Sequence, residues 1–405
     1  MINRRKALKS LATLPFIGSF LGANSLAANP SSAAIVSSVR RDFFKELGLR
    51  TFINAAGTYT SMTGSLMPKE VTDAISYGTT EYVNLDELQD KVGERIAELL
   101  ECEYATVSSG CFGAMSIGMA GILTGMDPKK VKQLPNTEGM RNEVIIQESH
   151  TIGYAQALTN VGAKVVKIKT ARDLEKAINK NTAMLWFLNA NTDQGAIKWE
   201  EFIALGKKYN IPTFIDCAAD VPPVENLFKF TKMGFDLVAF SGGKGIRGPQ
   251  SAGLLLGKRK YIEAARMHTP PRGETIGRGM KVNKEEVLGM LAALELYLQK
   301  DHKAEWAMWE AQIKLISDSA LKIKGVETEV HVPKYANHVP SLRIRWNQNL
   351  VKITPNEVRD QLKNGHPSIQ TVGDNSTVGI TTWMMVPGQE RIVATRINEI
   401  LSSAT

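Results

Sequence analysis

The stretch FDLVAFSGGKGIRGPQSAGLLLG, residues 235–257, sets two apolar runs of strand length on either side of a glycine-rich loop that carries one lysine, Lys244. The loop is too short for the crossover that parallel strands require, so SAGLLLG is predicted to run antiparallel to FDLVAF. A nucleotide-binding P-loop would follow its lysine with Ser or Thr, and Gly245 stands there instead. Two readings of Lys244 remain: a solvated loop lysine, or an amine held at a strand end for a covalent imine. In the second, Ser241, Gly242 and Gly243 would let a flat ring approach the backbone.

Working outward, EVIIQES (143–149), AKVVKI (163–168), AMLWFLNA (183–190) and PTFIDCAA (212–219) are short, nearly continuous apolar runs. Helical segments lie between them: HTIGYAQALTNVG (150–162), ARDLEKAINK (171–180) and KWEEFIALGKKYN (198–210). This alternation predicts an α/β fold with a mainly parallel sheet covered by helices on both faces. Upstream, LDELQDKVGERIAELL (85–100) carries Leu85, Leu88, Val92, Ile96 and Leu99 as one helical stripe. From about residue 290 the pattern changes to one long helix through LAALELYLQK and AEWAMWEAQIKLI. Strands at SLRIRWN and VGITTWMM and a closing helix in ERIVATRINEILSS follow. The expected division is a large domain over 67–290 and a smaller α+β domain over 291–405.

The first 28 residues read as a secretory signal: Arg4-Arg5, an apolar stretch from Leu11 to Leu26, and the small-residue site SLAA, with cleavage expected near Ala27 or Ala28. The paired arginines point to the twin-arginine export machinery, with Leu8 and Lys9 matching its motif and Ala7 standing where an aromatic is commonest. That route carries folded, cofactor-loaded proteins, so a periplasmic location is expected; the alternative is a retained anchor. Residues 29–66 then form a tether and an N-terminal arm. Arg4, Arg5, Lys6 and Lys9 supply four of the net eight positive charges, so the mature chain is near +4, too mild for a nucleic-acid partner. Cys102, Cys111 and Cys217 are odd in number and widely spaced, which argues for free thiols over disulfides or a zinc site. The histidines show no metal-ligand spacing.

Asp216 ends the apolar run of PTFID, 28 residues before Lys244. In a parallel sheet one helix's length of chain between them brings both to the carboxyl edge, where open α/β proteins bind ligands. A pyridine cofactor needs that pair: an amine for the imine and a carboxylate to keep the ring nitrogen protonated. The stretch VSSGCFGAMSIGMA (107–120) turns from a strand into a small-residue helix through Ser108, Ser109, Gly110 and Cys111, a start whose free N–H groups hold an anion. His150, after EVIIQES, reads either as a ring stacked on a cofactor face or as a capping residue.

Together these stretches resemble the fold type I enzymes of pyridoxal 5'-phosphate (PLP). More narrowly they resemble the selenocysteine-synthase-like group, which includes seryl-tRNA selenium transferase and D-glucosaminate-6-phosphate ammonia-lyase. The resemblance rests on INAAGTYTSMTGSLMPKEV (53–71), VSSGCFGA (107–114), PTFIDCAADVPP (212–223), VAFSGGKGIRGPQSAGLLLGKR (238–259) and GRGMKVNKEEVLGMLAALE (277–295). It implies a PLP-dependent transferase-like fold, with Lys244 as the imine lysine and Asp216 as partner of the pyridine nitrogen. It also implies Ser109, Gly110, Cys111 and Ser241 at the phosphate, Asn191 at the phenolic oxygen, and Arg278 at an anionic substrate group. A homodimer or larger homo-oligomer is expected on the same ground. The chain departs from the bacterial selenium transferases in leaving no room, after signal and tether, for a separate tRNA-binding domain.

The expected function is an exported PLP-dependent lyase that acts on an amino acid or amino-sugar acid by α-proton abstraction and β-elimination. Aminotransferase, selenium-transferase-like, racemase and aldolase chemistry use the same lysine and aspartate. An exported binding protein that kept the fold without the chemistry is the alternative of a different class.

Overall fold

The computed structural model describes residues 41–405; the expected signal, its cleavage site and most of the tether lie outside the described residues. Residues 41–50 carry one short helix, Phe43–Glu46, capped by the Asp42 carboxylate on the Lys45 N–H. Thr51–Thr405 forms one compact unit.

That unit is built on a seven-stranded sheet and a four-stranded sheet. In chain order the strands are β1 (Phe52–Asn54), β2 (Tyr104–Ser108), β3 (Glu143–Gln147), β4 (Lys164–Ile168), β5 (Thr182–Leu188), β6 (Thr213–Asp216), β7 (Leu237–Ser241), β8 (Gly253–Gly257), β9 (Val326–His331), β10 (Ser341–Trp346), β11 (Ser368–Gln370), β12 (Val372–Gly373) and β13 (Val378–Thr381). The large sheet runs β2-β8-β7-β6-β5-β3-β4. From β7 to β4 every pair is parallel, and β8 is antiparallel to both β7 and β2, as the short lysine loop requires. Strand alternation divides its buried side chains between two cores. Ile145, Leu185, Phe187, Ile215 and Val238 fill one, and Ile146, Met184, Trp186, Phe214 and Leu237 fill the other.

One helix, Gly110–Thr124, is buried nearly all round, which is why its sequence shows no polar face. Its glycines set its depth. A Cβ on Gly118 would lie 2.7 Å from the Phe214 ring, and one on Gly121 would lie 2.5 Å from the Ala265 backbone nitrogen in the Arg259–Arg266 helix. The small residues therefore let a helix start at the sheet's carboxyl edge and run flat against its underside.

The four-stranded antiparallel sheet, β12-β13-β10-β9, packs with the helices His302–Ala320 and Gln389–Ser402 around a third core. Three expectations change here. The long helix beginning near 290 is two helices, Lys284–Gln299 and His302–Ala320, because Asp301 caps the second by accepting the Ala304 N–H at 2.9 Å. The first of these crosses the expected boundary at 290/291 and buries Val287, Met290, Ala293, Leu294 and Tyr297 in a large-sheet core. Within the expected arm, β1 pairs in parallel with β11 and sends Ile53 into the third core.

Gly121→Ala tests the close helix packing. Because the obstructing atoms are backbone, the variant is expected to lose about 1–3 kcal/mol, read as a lower urea midpoint at unchanged slope; an unchanged midpoint would contradict it.

Candidate active site

At the carboxyl edge of the large sheet β6 ends in Asp216, β7 in Ser241 and β5 in Leu188 followed by Asn189. Because β8 is antiparallel to both its neighbours, β2 runs parallel to β7, so Ser108 and the start of the Gly110–Thr124 helix share that edge. Gly110 takes the left-handed conformation at φ +66°, and a Cβ on Gly253 would lie 2.5 Å from the Gly110 carbonyl carbon. Ser109 caps this helix without spending its hydroxyl on the helix, and the first-turn N–H groups have no intrahelical acceptors.

The lysine loop is held by its own backbone: the Gly242 N–H donates to Ala252, Gly248 to Gly242, and Arg247 to Lys244, at 2.9, 2.9 and 3.0 Å. Its glycines serve a different end from the one expected. The space beside Gly242 is filled by Met290 and Ala252, that beside Gly243 by Gln250, and that beside Gly245 by the Val221 carbonyl, 2.1 Å from where a Cβ would stand. They let the loop fold on itself and on residues 221–222, instead of opening room for a ring. Arg247, at φ +59°, donates to the Trp383 carbonyl at 2.7 Å and lies 3.7 Å from Glu305.

Lys244 opens on a cavity of about 470 Å³ that it shares with Tyr59, Tyr154, His331, Arg343 and Thr381. Asp216 is 2% exposed; its Oδ1 accepts the Ala218 N–H at 2.9 Å and the Cys111 thiol at 3.4 Å. Burial raises its pKa, against the pull of those two donors and of the Lys244 charge. Asp220 is equally buried, and its Oδ1 accepts the Asn189 amide at 2.8 Å and the Ala336 N–H at 3.0 Å. Burial pushes it up to about 6, with the Asp216 charge adding to the rise and the Ala336 N–H, Asn189 and Lys244 opposing it.

Lys244, Asp216, Ser109, Gly110, Cys111 and Ser241 thus share the edge. The Cys111 side chain faces Asp216, and burial holds its thiol protonated, so only its backbone N–H is available for an anion at the helix start. His150 is fully buried: Nδ1 accepts the Leu188 N–H at 3.2 Å, Nε2 meets the Asn191 carbonyl at 3.1 Å, and the ring stands perpendicular to that of Phe187. Asn191 donates its amide to the Ser149 carbonyl at 2.6 Å, and the amide that reaches the acids is that of Asn189. Arg278 sits half-exposed in a turn and does not line the lysine's cavity, whereas Arg343 does. Arg343 lies on β10 opposite Glu329, at 3.5 Å, on the strand face it shares with His331. His331 Nδ1 and Thr381 Oγ1 are buried without a partner among the described residues. The second acid of DCAAD was a legible signal for Asp220. Arg343, in SLRIRW, reads only as the outward residue of an alternating strand.

Comparison with known proteins adds to this geometry. A model of the family described as L-seryl-tRNA selenium transferase matches residues 151–339. D-glucosaminate-6-phosphate ammonia lyase from Salmonella typhimurium (strain 14028s / SGSC 2262) is 25% identical over 90% of this chain and 99% of its own length. This chain is a relative of that ammonia-lyase and of the selenium transferases. L-seryl-tRNA(Sec) selenium transferase from Alkaliphilus oremlandii (strain OhILAs) is 26% identical over 64% of this chain and 58% of its own length. The solved structure of D-glucosaminate-6-phosphate ammonia-lyase superposes with a TM-score of 0.79 at 24% identity, over 90% of this chain and 99% of that one. A structure titled SPT with PLP superposes with a TM-score of 0.56 at 12% identity over 87% of this chain and 88% of that one. The fold is that of the PLP-dependent enzymes of fold type I. The residues present fit that cofactor: a lysine facing a cavity, a buried acid at the next strand end, and a glycine-started helix whose N–H groups point at the same edge.

His150 supplies a pH test of this wall. Burial lowers its pKa to about 4, so the folded ring stays neutral while an unfolded one charges near 6.5. Acid unfolding then takes up a proton, and its contribution, whole above pH 6.5, fades as pH falls toward 4. Between those limits the wild type is expected to lose on the order of 3 kcal/mol more than His150→Gln; parallel stability curves from urea melts would contradict the assignment.

Proposed function

We propose that this chain is a PLP-dependent lyase that removes the α-proton of an amino acid or amino-sugar acid and expels a group from its β-carbon, releasing ammonia and a keto acid. The observation that carries the reading is Lys244 opening on a cavity that Arg343 also lines, with the buried Asp216 carboxylate, which does not line that cavity, at the neighbouring strand end. Being a relative of enzymes named for lyase and transferase activities supports the class. When bound, PLP supplies an electron sink for the substrate's α-carbon.

The chain's own groups divide the remaining work. Lys244 would hold the cofactor and, once displaced by the substrate amine, carry the α-proton on Nζ. Asp216 would face the ring nitrogen, whose positive charge restores the ionised form that burial disfavours. The first-turn N–H groups from Gly110, with the Ser109 and Ser241 hydroxyls, would hold the phosphate. Arg343, with the unpartnered His331 Nδ1 and Thr381 Oγ1, would receive the substrate's acid group in place of Arg278. The balance would close as follows: the α-proton goes to Lys244 Nζ, the C–X electron pair leaves with X, the lysine amine displaces the product as an enamine, a proton at its β-carbon makes that an imine, and one solvent water hydrolyses the imine to ammonia and keto acid. Periplasmic location through the twin-arginine route, and assembly as a homodimer or larger, belong to the same proposal and rest on residues 4–28 and on the kinship.

Purified protein given PLP is expected to develop visible absorbance that Lys244→Ala lacks while keeping its melting behaviour; a band that persists in the variant relocates the imine. Ammonia and keto acid should then form from candidate amino acids without an added keto acid. A requirement for such an acceptor would replace the lyase by an aminotransferase. Arg343→Gln should raise KM by roughly 100-fold with the PLP band unchanged, the loss expected when a charge-assisted pair to an anionic group is removed.

A further inference from the structure

The segment Pro333–Val339 lies between β9 and β10 and leaves its own sheet to reach the carboxyl edge of the large one. Its Pro333, Asn337 and Val339 line the cavity that holds Lys244. Two consecutive residues, Ala336 and Asn337, have positive φ, +33° and +53°, although neither is glycine. Such backbone persists where its surroundings over-determine it. Here the surroundings are specific. The Ala336 N–H donates to Asp220 Oδ1 at 3.0 Å, and the Asn337 N–H to the Ala219 carbonyl at 2.6 Å. Asp220 Oδ1 also takes the Asn189 amide, whose own oxygen accepts the Trp199 indole N–H at 3.0 Å, and Trp199 stands edge-on to Tyr335 in the strap. The result is a closed circuit from strap to sheet edge and back, with Asp220 at its buried end. The circuit's outer anchor, Asp193 with Lys334 and the Tyr335 hydroxyl, is solvated and correspondingly weak.

We propose that Asp220 is a positioning residue: its carboxylate seats the Pro333–Val339 strap as a wall of the Lys244 cavity and so governs access to that lysine. Neither the sheet nor the lysine loop needs this carboxylate for its own hydrogen bonds. What depends on it is the strap, through one N–H, and the orientation of Asn189. Asparagine at 220 retains an acceptor oxygen for both donors; alanine retains none. The pair of substitutions therefore separates the acceptor from the charge. The strap part of this inference stands on contacts alone, and the access part rests on the reading of Lys244 as the PLP-bearing residue.

Two measurements on the full chain test it. The first is amide hydrogen exchange of residues 334–339 without PLP, with the strands β5 and β6 as internal reference. Asp220→Ala should speed strap exchange at least 10-fold and leave the reference strands unchanged, while Asp220→Asn should stay within about threefold of wild type. The second is the rate at which hydroxylamine bleaches the visible band of PLP-loaded protein. Asp220→Ala should bleach at least 10-fold faster, and Asp220→Asn should restore most of the protection. Wild-type exchange rates in Asp220→Ala overturn the strap. Altered exchange with unaltered bleaching overturns its control of access. A wild type with no visible band at all strikes the PLP reading and leaves the exchange result to decide the strap. Should Asp220→Ala not fold, Asp220→Leu keeps the side-chain volume and removes both acceptor oxygens, with the same expected exchange and bleaching and the same overturning results.

Discussion

Two carboxylates buried beside one lysine set the terms for everything else at this sheet edge. Asp216 and Asp220 are each 2% exposed, and an isolated buried carboxylate costs several kcal/mol. The donors around them, the Ala218 and Ala336 N–H groups, the Asn189 amide and the Cys111 thiol, recover part of that cost without adding charge. Lys244 adds one positive charge against two negative ones. Burial pushes Asp220 up to about 6, and the neighbouring Asp216 charge adds to the rise.

The placement of Lys244, Asp216 and the helix start at one sheet edge was legible because each is written in local pattern. Asp216 and Lys244 follow apolar strands at a spacing that one helix must fill, and Ser109-Gly110 breaks a strand into a small-residue helix. The antiparallel β8 was legible from loop length. What escaped was set by packing across long separations. Asn189 and Asn191 are indistinguishable in LNAN; the one-turn helix at 189–191 decides which faces Asp220. His150 reads equally as a stacking or a capping residue in sequence; the fold buries it and gives its ring nitrogens Leu188 and Asn191 as partners. Arg343 and Arg278 are alike in sequence, and only the return of the small sheet over the lysine places Arg343 in its cavity.

The glycines of SGGKG have a different physical basis from the one their composition invites. The neighbours that a Cβ would strike at Gly242, Gly243 and Gly245 are parts of the protein. The Gly245 contact matters most, because the Val221 carbonyl that it meets is one residue past Asp220 and five past Asp216. The lysine loop therefore rests on the chain segment that carries both acids. A residue with a side chain at 245 would push the lysine away from the acids that its charge moderates, even though no chemistry is assigned to that position.

The smaller sheet lines the Lys244 cavity and is tied to the lysine loop and to the acids by hydrogen bonds. Arg247 ties the lysine loop to the Trp383 carbonyl, and the strap ties residues 219–220 to Ala336 and Asn337, so both halves of the cavity are referred to one short stretch of backbone between Asp216 and Val221. Each tie is a hydrogen bond from an N–H donor to a buried or half-buried acceptor, a kind of contact that holds direction as well as distance. With the lysine loop, the acids and the cavity's outer wall all measured from that stretch, the distance between Lys244 and Arg343 is governed by few intervening joints.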